Sequence, residues 1–124
     1  MDIAKPKRFD LEERLVEFAV AILKIADGMP KTFAGQHLSG QLTRSGTSAA
    51  LNYGEAQGGE SSKDFIHKIK IVLKELRETL VCLKIIHRSG LHSAPDQIVL
   101  AIKECNELVA IFVKSAKTAQ ANMR

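Results

Sequence analysis

The chain has 124 residues, a length that suits one domain with a hydrophobic core of its own. Hydrophobic residues make up 45% of the chain and charged residues 26%, a balance that excludes disorder as its main state. The net charge of +4 favours an anionic partner mildly, and the aromatic content of 5% argues against a surface that stacks the bases of a single strand.

Neither secretion nor membrane insertion has a signal in this sequence. The apolar runs are too short for a membrane span, and the basic N-terminus has no apolar segment of a signal peptide behind it. Cys82 and Cys105 lie inside apolar patterns, which favours buried thiols in a reducing compartment over a disulfide or a metal site. We therefore expect a cytoplasmic protein that does not associate with a membrane.

The spacing of apolar residues predicts four α-helices and no strand, all within one domain that covers residues 1–124. The expected helices span residues 10–27, 35–57, 61–88 and 95–118. In the first helix, Asp10 is a suitable N-cap, and Gly28 with Pro30 marks the end. Its apolar face is formed by Leu11, Leu15, Phe18, Ile22 and Ile25.

The second helix is unusual because Arg44 is its only formal charge between Thr32 and Gly54 at neutral pH. A helix that faces water normally carries charges on its outer side, whereas this one carries small and uncharged side chains. We therefore expect one side of it to pack on its own bundle and the other side on a second subunit. The expected subunit contacts are Arg44, Thr47, Ser48, Ala50 and Asn52.

The third helix begins at a capping motif, in which Ser61 is followed three residues later by Asp64, and it ends at Gly90. Its expected apolar face consists of Phe65, Ile66, Ile69, Leu73, Leu76, Leu80 and Leu83. The fourth helix opens at Pro95, and the tail from Lys117 is expected to fray. Its expected core residues are Ile98, Ala101, Ile102, Cys105, Leu108, Val109 and Phe112.

Basic side chains recur at steps of three and four along the third helix and form one stripe beside its apolar face, while Asp64, Glu75 and Glu78 fall to the other side. The stripe contains His67 and the candidate nucleic-acid-binding residues Lys63, Lys70, Lys74, Arg77, Lys84 and Arg88. Such a stripe can follow a phosphate backbone without reading bases. A solubilising face, whose lysine stems cover apolar surface, is the alternative interpretation, and the stripe by itself slightly favours it.

No pattern in the sequence indicates catalysis, a metal or a cofactor. The glycines around residues 54–59 follow neither phosphate-loop order, and the four histidines have no paired ligand spacing. His87 and His92 are expected in a solvated loop, and the glutamate–histidine pairs of di-iron bundles are absent from the sequence. No serine or cysteine lies in a motif that activates a nucleophile. We therefore expect a protein that is not an enzyme.

Residues 41–86, QLTRSGTSAALNYGEAQGGESSKDFIHKIKIVLKELRETLVCLKII, resemble the bacterial four-helix bundle proteins, also called 23S rRNA intervening-sequence proteins. The family pattern is an arginine, a Ser/Ala-rich run, Asn-x-x-Glu, a glycine turn, and Ser-x-x-Asp/Glu-Phe. The matching residues here are Arg44, residues 45–50, Asn52 with Glu55, Gly58, and Ser61 with Asp64 and Phe65. One departure is Gly54 and Ala56 around Glu55, where relatives usually have Ala and Gly.

The resemblance implies an all-α, antiparallel up-down four-helix bundle that assembles into a ring-shaped homopentamer. Relatives include the accessory protein of diversity-generating retroelements, a basic pentamer that works with a reverse transcriptase and nucleic acid. Together with the stripe, this favours a non-enzymatic oligomeric adaptor that binds RNA or DNA phosphates. The alternative is a homo-oligomeric protein–protein scaffold whose positive charge is incidental.

Overall fold

The fold consists of four α-helices, and no strand occurs in residues 10–58 and 61–123, the part of the chain that the computed structural model describes. The helices are α1 (Leu11–Asp27), α2 (Phe33–Gln57), α3 (Ser62–Ser89) and α4 (Pro95–Ala121). α2 packs between α1 and α3, and α4 packs against α3 and α1, so α1 and α3 lie across the molecule from each other. The prediction of an all-helical protein with four helices is confirmed.

Side-chain caps begin the first three helices. The Asp10 carboxylate accepts a hydrogen bond from the backbone N–H of Glu13 at 3.1 Å, and the Ser61 hydroxyl accepts one from Asp64 at 3.1 Å. Thr32 caps α2 in the same way, so that helix begins two residues before the expected start at residue 35. At the end of α3, Gly90 has a φ of 69°, a left-handed conformation that favours glycine.

The end of α4 differs from the expected fraying after Lys117, because the helix continues to Ala121. Ala116 packs against the hydrophobic core and holds this last segment on the bundle. The core is made by the inner faces of all four helices, and its fully buried members include Leu15, Ile22, Leu42, Ile69, Leu76, Leu83, Ile98, Leu108 and Phe112. Cys82 and Cys105 are buried free thiols, and burial raises the pKa of Cys105 to about 12.

The buried side of α3 is turned relative to the expected apolar face. Leu73 and Leu80 are only half-buried, whereas Val72, Thr79 and Ile86 are fully buried. The reason lies in the packing against α2, where the hydroxyls of Thr79 and Ser45 share a hydrogen bond of 2.7 Å. A polar threonine is therefore satisfied at a core position that apolar spacing did not identify.

His92 was expected in a solvated loop, but it is buried, with 8% of its surface exposed. Its Nε2 lies 3.1 Å from the carbonyl oxygen of Ile25, and its Nδ1 accepts a hydrogen bond from the N–H of Ala94 at 3.0 Å. These two contacts require a neutral ring with the proton on Nε2. A Cβ at Gly28 would lie 2.8 Å from Nε2, so glycine lets the ring tie the end of α1 to the loop before α4.

We expect Leu76→Ala to lower the free energy of unfolding by about 2–5 kcal/mol, because Leu76 is fully buried and its removal leaves a cavity. The matched control is Leu100→Ala, the same change at an exposed leucine of α4, which should cost below about 0.5 kcal/mol. Chemical denaturation measures both values. Equal losses at the two positions would contradict this assignment of the core.

Candidate nucleic-acid interface

The six basic residues predicted to bind nucleic acid all lie on α3, and all six are exposed. They occupy the outward side of the helix, opposite the buried Val72, Leu76 and Leu83, instead of a stripe beside the apolar face. Val81 interrupts them and is itself exposed. We call this surface the basic face, and it consists of Lys63, His67, Lys70, Lys74, Arg77, Lys84 and Arg88.

Two of the three carboxylates of α3 are held by α2 beside the basic face. Glu75 is only 7% exposed and Glu78 lies at the surface, and both bind Arg44 of α2. The Nη1 of Arg44 lies 3.1 Å from Oε1 of Glu75, and its Nη2 donates to Oε1 of Glu78. A buried carboxylate is costly without a cation beside it, so the pair with Arg44 allows Glu75 to occupy the boundary of the core.

Hydrogen bonds determine the electrostatics of this cluster. The hydrogen bond from Arg44 lowers the pKa of Glu78, while the bonds to Glu78 and then Glu75 raise the pKa of Arg44. Two carboxylates thus more than offset the charge of one guanidinium, whose side chain is nevertheless 52% exposed. The cluster binds two of the three carboxylates of α3 and fixes the orientation of the Arg44 fork, while Asp64 stays exposed beside Lys63 at the start of the basic face.

A groove of about 770 Å³ runs between α2 and α3 beside the cluster. Its polar lining comprises His37, Gln41, Arg44, Ser45, Lys70, Lys74, Arg77 and Glu78. Its apolar lining comprises Leu38, Leu73, Val81, Cys82 and Ile85. The centre of the basic face therefore borders a concave surface that also offers apolar contact area.

The five expected subunit contacts on α2 differ in how they are held within the chain. Arg44 is engaged with α3, and Asn52 donates from Nδ2 to the carbonyl oxygen of Ser48 at 2.9 Å. Ala50 is half-buried and packs against the core, so it is not an outward position. Thr47 does lie toward the outside and donates its hydroxyl to the carbonyl oxygen of Thr43 at 2.8 Å.

Two large apolar residues on the outer side of α2 were missed by the sequence reasoning. Phe33 is 91% exposed and Leu51 is 67% exposed. With Gly40, Thr47 and Gly54 they repeat at helical spacing, and we call these five residues the outer line of α2. The signal that could have found them is this spacing of apolar and small residues away from the buried face.

No group of three or more His, Cys, Asp or Glu side chains that could hold a metal ion occurs within residues 10–58 and 61–123. Within the same described residues, none of the helices combines the length and the apolarity that crossing a membrane requires.

Arg44→Ala should lower the free energy of unfolding at neutral pH by about 1–3 kcal/mol, because it leaves the Glu75 carboxylate buried without its cation. Arg77→Ala, on the exposed basic face, is the control and should change it by below about 0.5 kcal/mol. Urea denaturation measures the difference between each variant and the wild type.

The loss in Arg44→Ala should also depend on pH. Since the pKa of Glu78 is lowered in the folded state, its pair with Arg44 contributes fully above the ordinary carboxyl pKa of about 4.3. The contribution disappears as the pH falls through the lower folded value, so the two unfolding free energies should approach each other only below the ordinary carboxyl pKa, as Glu78 becomes protonated in the folded state. A constant difference from neutral to acidic pH would contradict this electrostatic account.

Comparison with known proteins identifies the family of this chain. The model of the 23S rRNA-intervening sequence protein family matches residues 7–114. A similar solved structure comes from Bacteroides thetaiotaomicron and is described as a protein with unknown function from the S23 ribosomal protein family. It shares 29% sequence identity at a TM-score of 0.78, with 86% of this chain and 97% of that chain covered. No curated protein matches. The chain belongs to the 23S rRNA-intervening sequence protein family, as the motif of residues 41–86 predicted.

Proposed function

We propose that this protein is a non-enzymatic, oligomeric adaptor that binds RNA or DNA through phosphates on the basic face of α3. The observation that carries the proposal is the separation of charge on that helix. The basic face from Lys63 to Arg88 holds basic side chains and Val81, and Glu75 and Glu78 are bound to Arg44 of α2. Asp64, beside Lys63, is the remaining carboxylate of the helix. A surface on which basic residues predominate attracts a polyanion, whereas evenly mixed charges would not.

The charges on α1 also favour binding of nucleic acid on the α3 side of the molecule. The exposed side of α1, across from α3, carries Glu12, Glu13 and Glu17 near its start. Acidic residues repel phosphates, so the opposite signs of the two faces orient an approaching nucleic acid toward α3. Phosphate contacts carry no sequence information, and we therefore propose binding with little preference among sequences.

We propose further that the chain is an antiparallel up-down bundle that assembles into a ring, most simply a homopentamer, through the outer line of α2. Phe33 and Leu51 gain from removal from water, and Gly40 and Gly54 have open space where a Cβ would be. Glycine inside a helix costs about 1 kcal/mol relative to alanine, and no contact within the folded chain requires it there. Close approach of a second copy supplies a reason for both glycines.

The register of helix contacts supports the antiparallel arrangement. Lys68 near the start of α3 pairs with Glu55 near the end of α2, while Cys82 near the end of α3 contacts Leu38 near the start of α2. Two buried free thiols suit a reducing compartment, in line with action in the cytoplasm. A ring repeats the basic face in every subunit, so weak contacts add through multivalency.

Reversal of Lys70, Lys74 and Arg77 to Glu should abolish binding of RNA or duplex DNA in a mobility-shift assay, while helicity and oligomer size stay unchanged. Wild-type binding should weaken as salt rises, because phosphate contacts lose the gain from counterion release. The matched control is the reversal of Lys24, Lys103 and Lys114, three exposed lysines of α1 and α4. It changes the net charge equally and should leave most of the binding.

Equal loss in both triple variants would assign binding to net charge instead of the basic face. If the wild type retains neither nucleic acid at low salt, the nucleic-acid proposal is wrong. The alternative, a homo-oligomeric protein–protein scaffold, would then be the better account of the apolar outer line of α2.

Thr47→Glu should weaken assembly, because it buries an unpaired carboxylate in the proposed subunit contact. Asn106→Glu is the control, since Asn106 is an exposed residue of α4 outside that contact. Light scattering at micromolar concentration measures the particle mass of both variants. A wild-type protein that is monomeric under these conditions would overturn the assembly proposal.

A further inference from the structure

Arg44 differs from the residues of the basic face in how it is held. Two carboxylates of α3 bind its guanidinium. Nη1 of Arg44 donates to Oε1 of Glu75 at 3.1 Å, and Nη2 donates to Oε1 of Glu78. With its charge matched in this way, Arg44 is a poor phosphate ligand compared with the free cations beside it. Its planar fork is nevertheless fixed in orientation, lines the groove, and remains 52% exposed.

The groove beside Arg44 offers an apolar surface that phosphates do not need. Val81 and Ile85 are exposed on α3, and Leu38 and Leu73 line the same groove. Val81 follows Glu78 by three residues, about 4.5 Å along the helix axis, so the apolar strip begins within one turn of the Arg44 cluster. A duplex presents its backbone outward and keeps its bases stacked inside, so it leaves this strip unfilled.

The basic side chains that line the groove indicate which kind of ligand fits it. Lys70, Lys74 and Arg77 line it together with the apolar residues. A single strand brings both chemical groups at once, because its phosphates suit the cations and its unpaired bases suit an apolar surface and an arginine plane. The scarcity of aromatic residues argued against base stacking on this protein. A base can also stack on the planar guanidinium of an arginine, so an aromatic residue is not required here.

We propose that the groove between α2 and α3 binds an unpaired nucleobase, stacked on the guanidinium of Arg44 and packed against Val81 and Ile85. The phosphates of the same strand bind Lys70, Lys74 and Arg77. This inference rests on the proposed nucleic-acid function and narrows its ligand to single strands and unpaired loops.

The test compares three ligands of equal length: a single-stranded oligonucleotide, the same strand built from abasic residues, and the duplex. The abasic strand keeps every phosphate and lacks every base. Fluorescence anisotropy at fixed low salt should give the wild type about ten-fold tighter binding of the complete strand than of the abasic strand, the lower part of the range for stacking one base. The duplex should resemble the abasic strand.

Two variants remove the proposed base contacts without removing positive charge. Arg44→Lys keeps the cation beside Glu75 and loses the plane, and Arg77→Lys is its matched control on the basic face. The double variant Val81→Ser with Ile85→Ser removes the apolar strip at two exposed positions outside the hydrophobic core. Arg44→Lys and the double serine variant should both reduce the ten-fold advantage to about two-fold or less, with abasic binding unchanged.

The outcomes separate this inference from the function on which it rests. Equal affinity of the wild type for the complete and abasic strands would overturn base binding and leave phosphate binding intact. An unchanged advantage in the double serine variant would also overturn it, even if Arg44→Lys fails to fold. Absence of binding to all three ligands at low salt, or binding of an acidic helical peptide in their place, would overturn both proposals.

Discussion

The ion-pair cluster of Arg44 with Glu75 and Glu78 is the interaction on which the arrangement of α2 and α3 depends. Glu75 lies at the boundary of the core, where an unpaired carboxylate would be costly, and Arg44 is the only formal charge between Thr32 and Gly54 available to match it. The cluster draws both carboxylates toward α2. The outward side of α3 is left predominantly basic as a consequence, and the groove between the helices acquires one fixed guanidinium.

Small residues on α2 make this close packing possible. A Cβ at Gly46 would lie 2.7 Å from Cγ2 of Ile22, so α1 approaches α2 at a distance that only glycine permits. On the α3 side, Ser45 is short enough to share its hydrogen bond with Thr79 inside the core. Gly40 and Gly54 on the outer line have no such neighbour within the chain, which sets them apart from Gly46. The scarcity of charge on α2 therefore has two physical causes, one inside the subunit and one proposed between subunits.

The sequence was sufficient for the number of helices and for most of their ends. Asp10 and Ser61 act through hydrogen bonds to residues three positions away, and such local chemistry can be recognised within a single segment. The Thr32 cap works in the same way but was not identified, so the start of α2 was placed two residues too late. The burial of His92 could not be predicted from the sequence, because its partner Ile25 lies far away along the chain. Helical spacing also predicted that α3 has one apolar face. It did not predict that the buried side is turned toward α2, where the hydroxyls of Ser45 and Thr79 share a hydrogen bond.

The candidate site was predictable only in part for the same reason. The basic residues recur on one helix, so their common face followed from spacing alone. Which carboxylates Arg44 binds, and that a groove separates α2 from α3, depend on two helices meeting. The prediction of Arg44 as a subunit contact comes from its isolation in an uncharged helix, whereas no local pattern identifies its partners on α3. The exposed Val81 looked like an interruption of the stripe and is instead part of the groove lining.

Binding of nucleic acid by the basic face of α3 is the central claim, and lysine footprinting tests it most directly. The wild-type protein is acetylated under limiting reagent with and without a single-stranded oligonucleotide at low salt, and the modification of each lysine is measured by mass spectrometry. We expect the oligonucleotide to protect Lys63, Lys70, Lys74 and Lys84 of α3, and to leave Lys24 of α1 and Lys103 and Lys114 of α4 as reactive as before. Protection of the α1 and α4 lysines instead, or equal reactivity of every lysine with and without the oligonucleotide, would contradict the account.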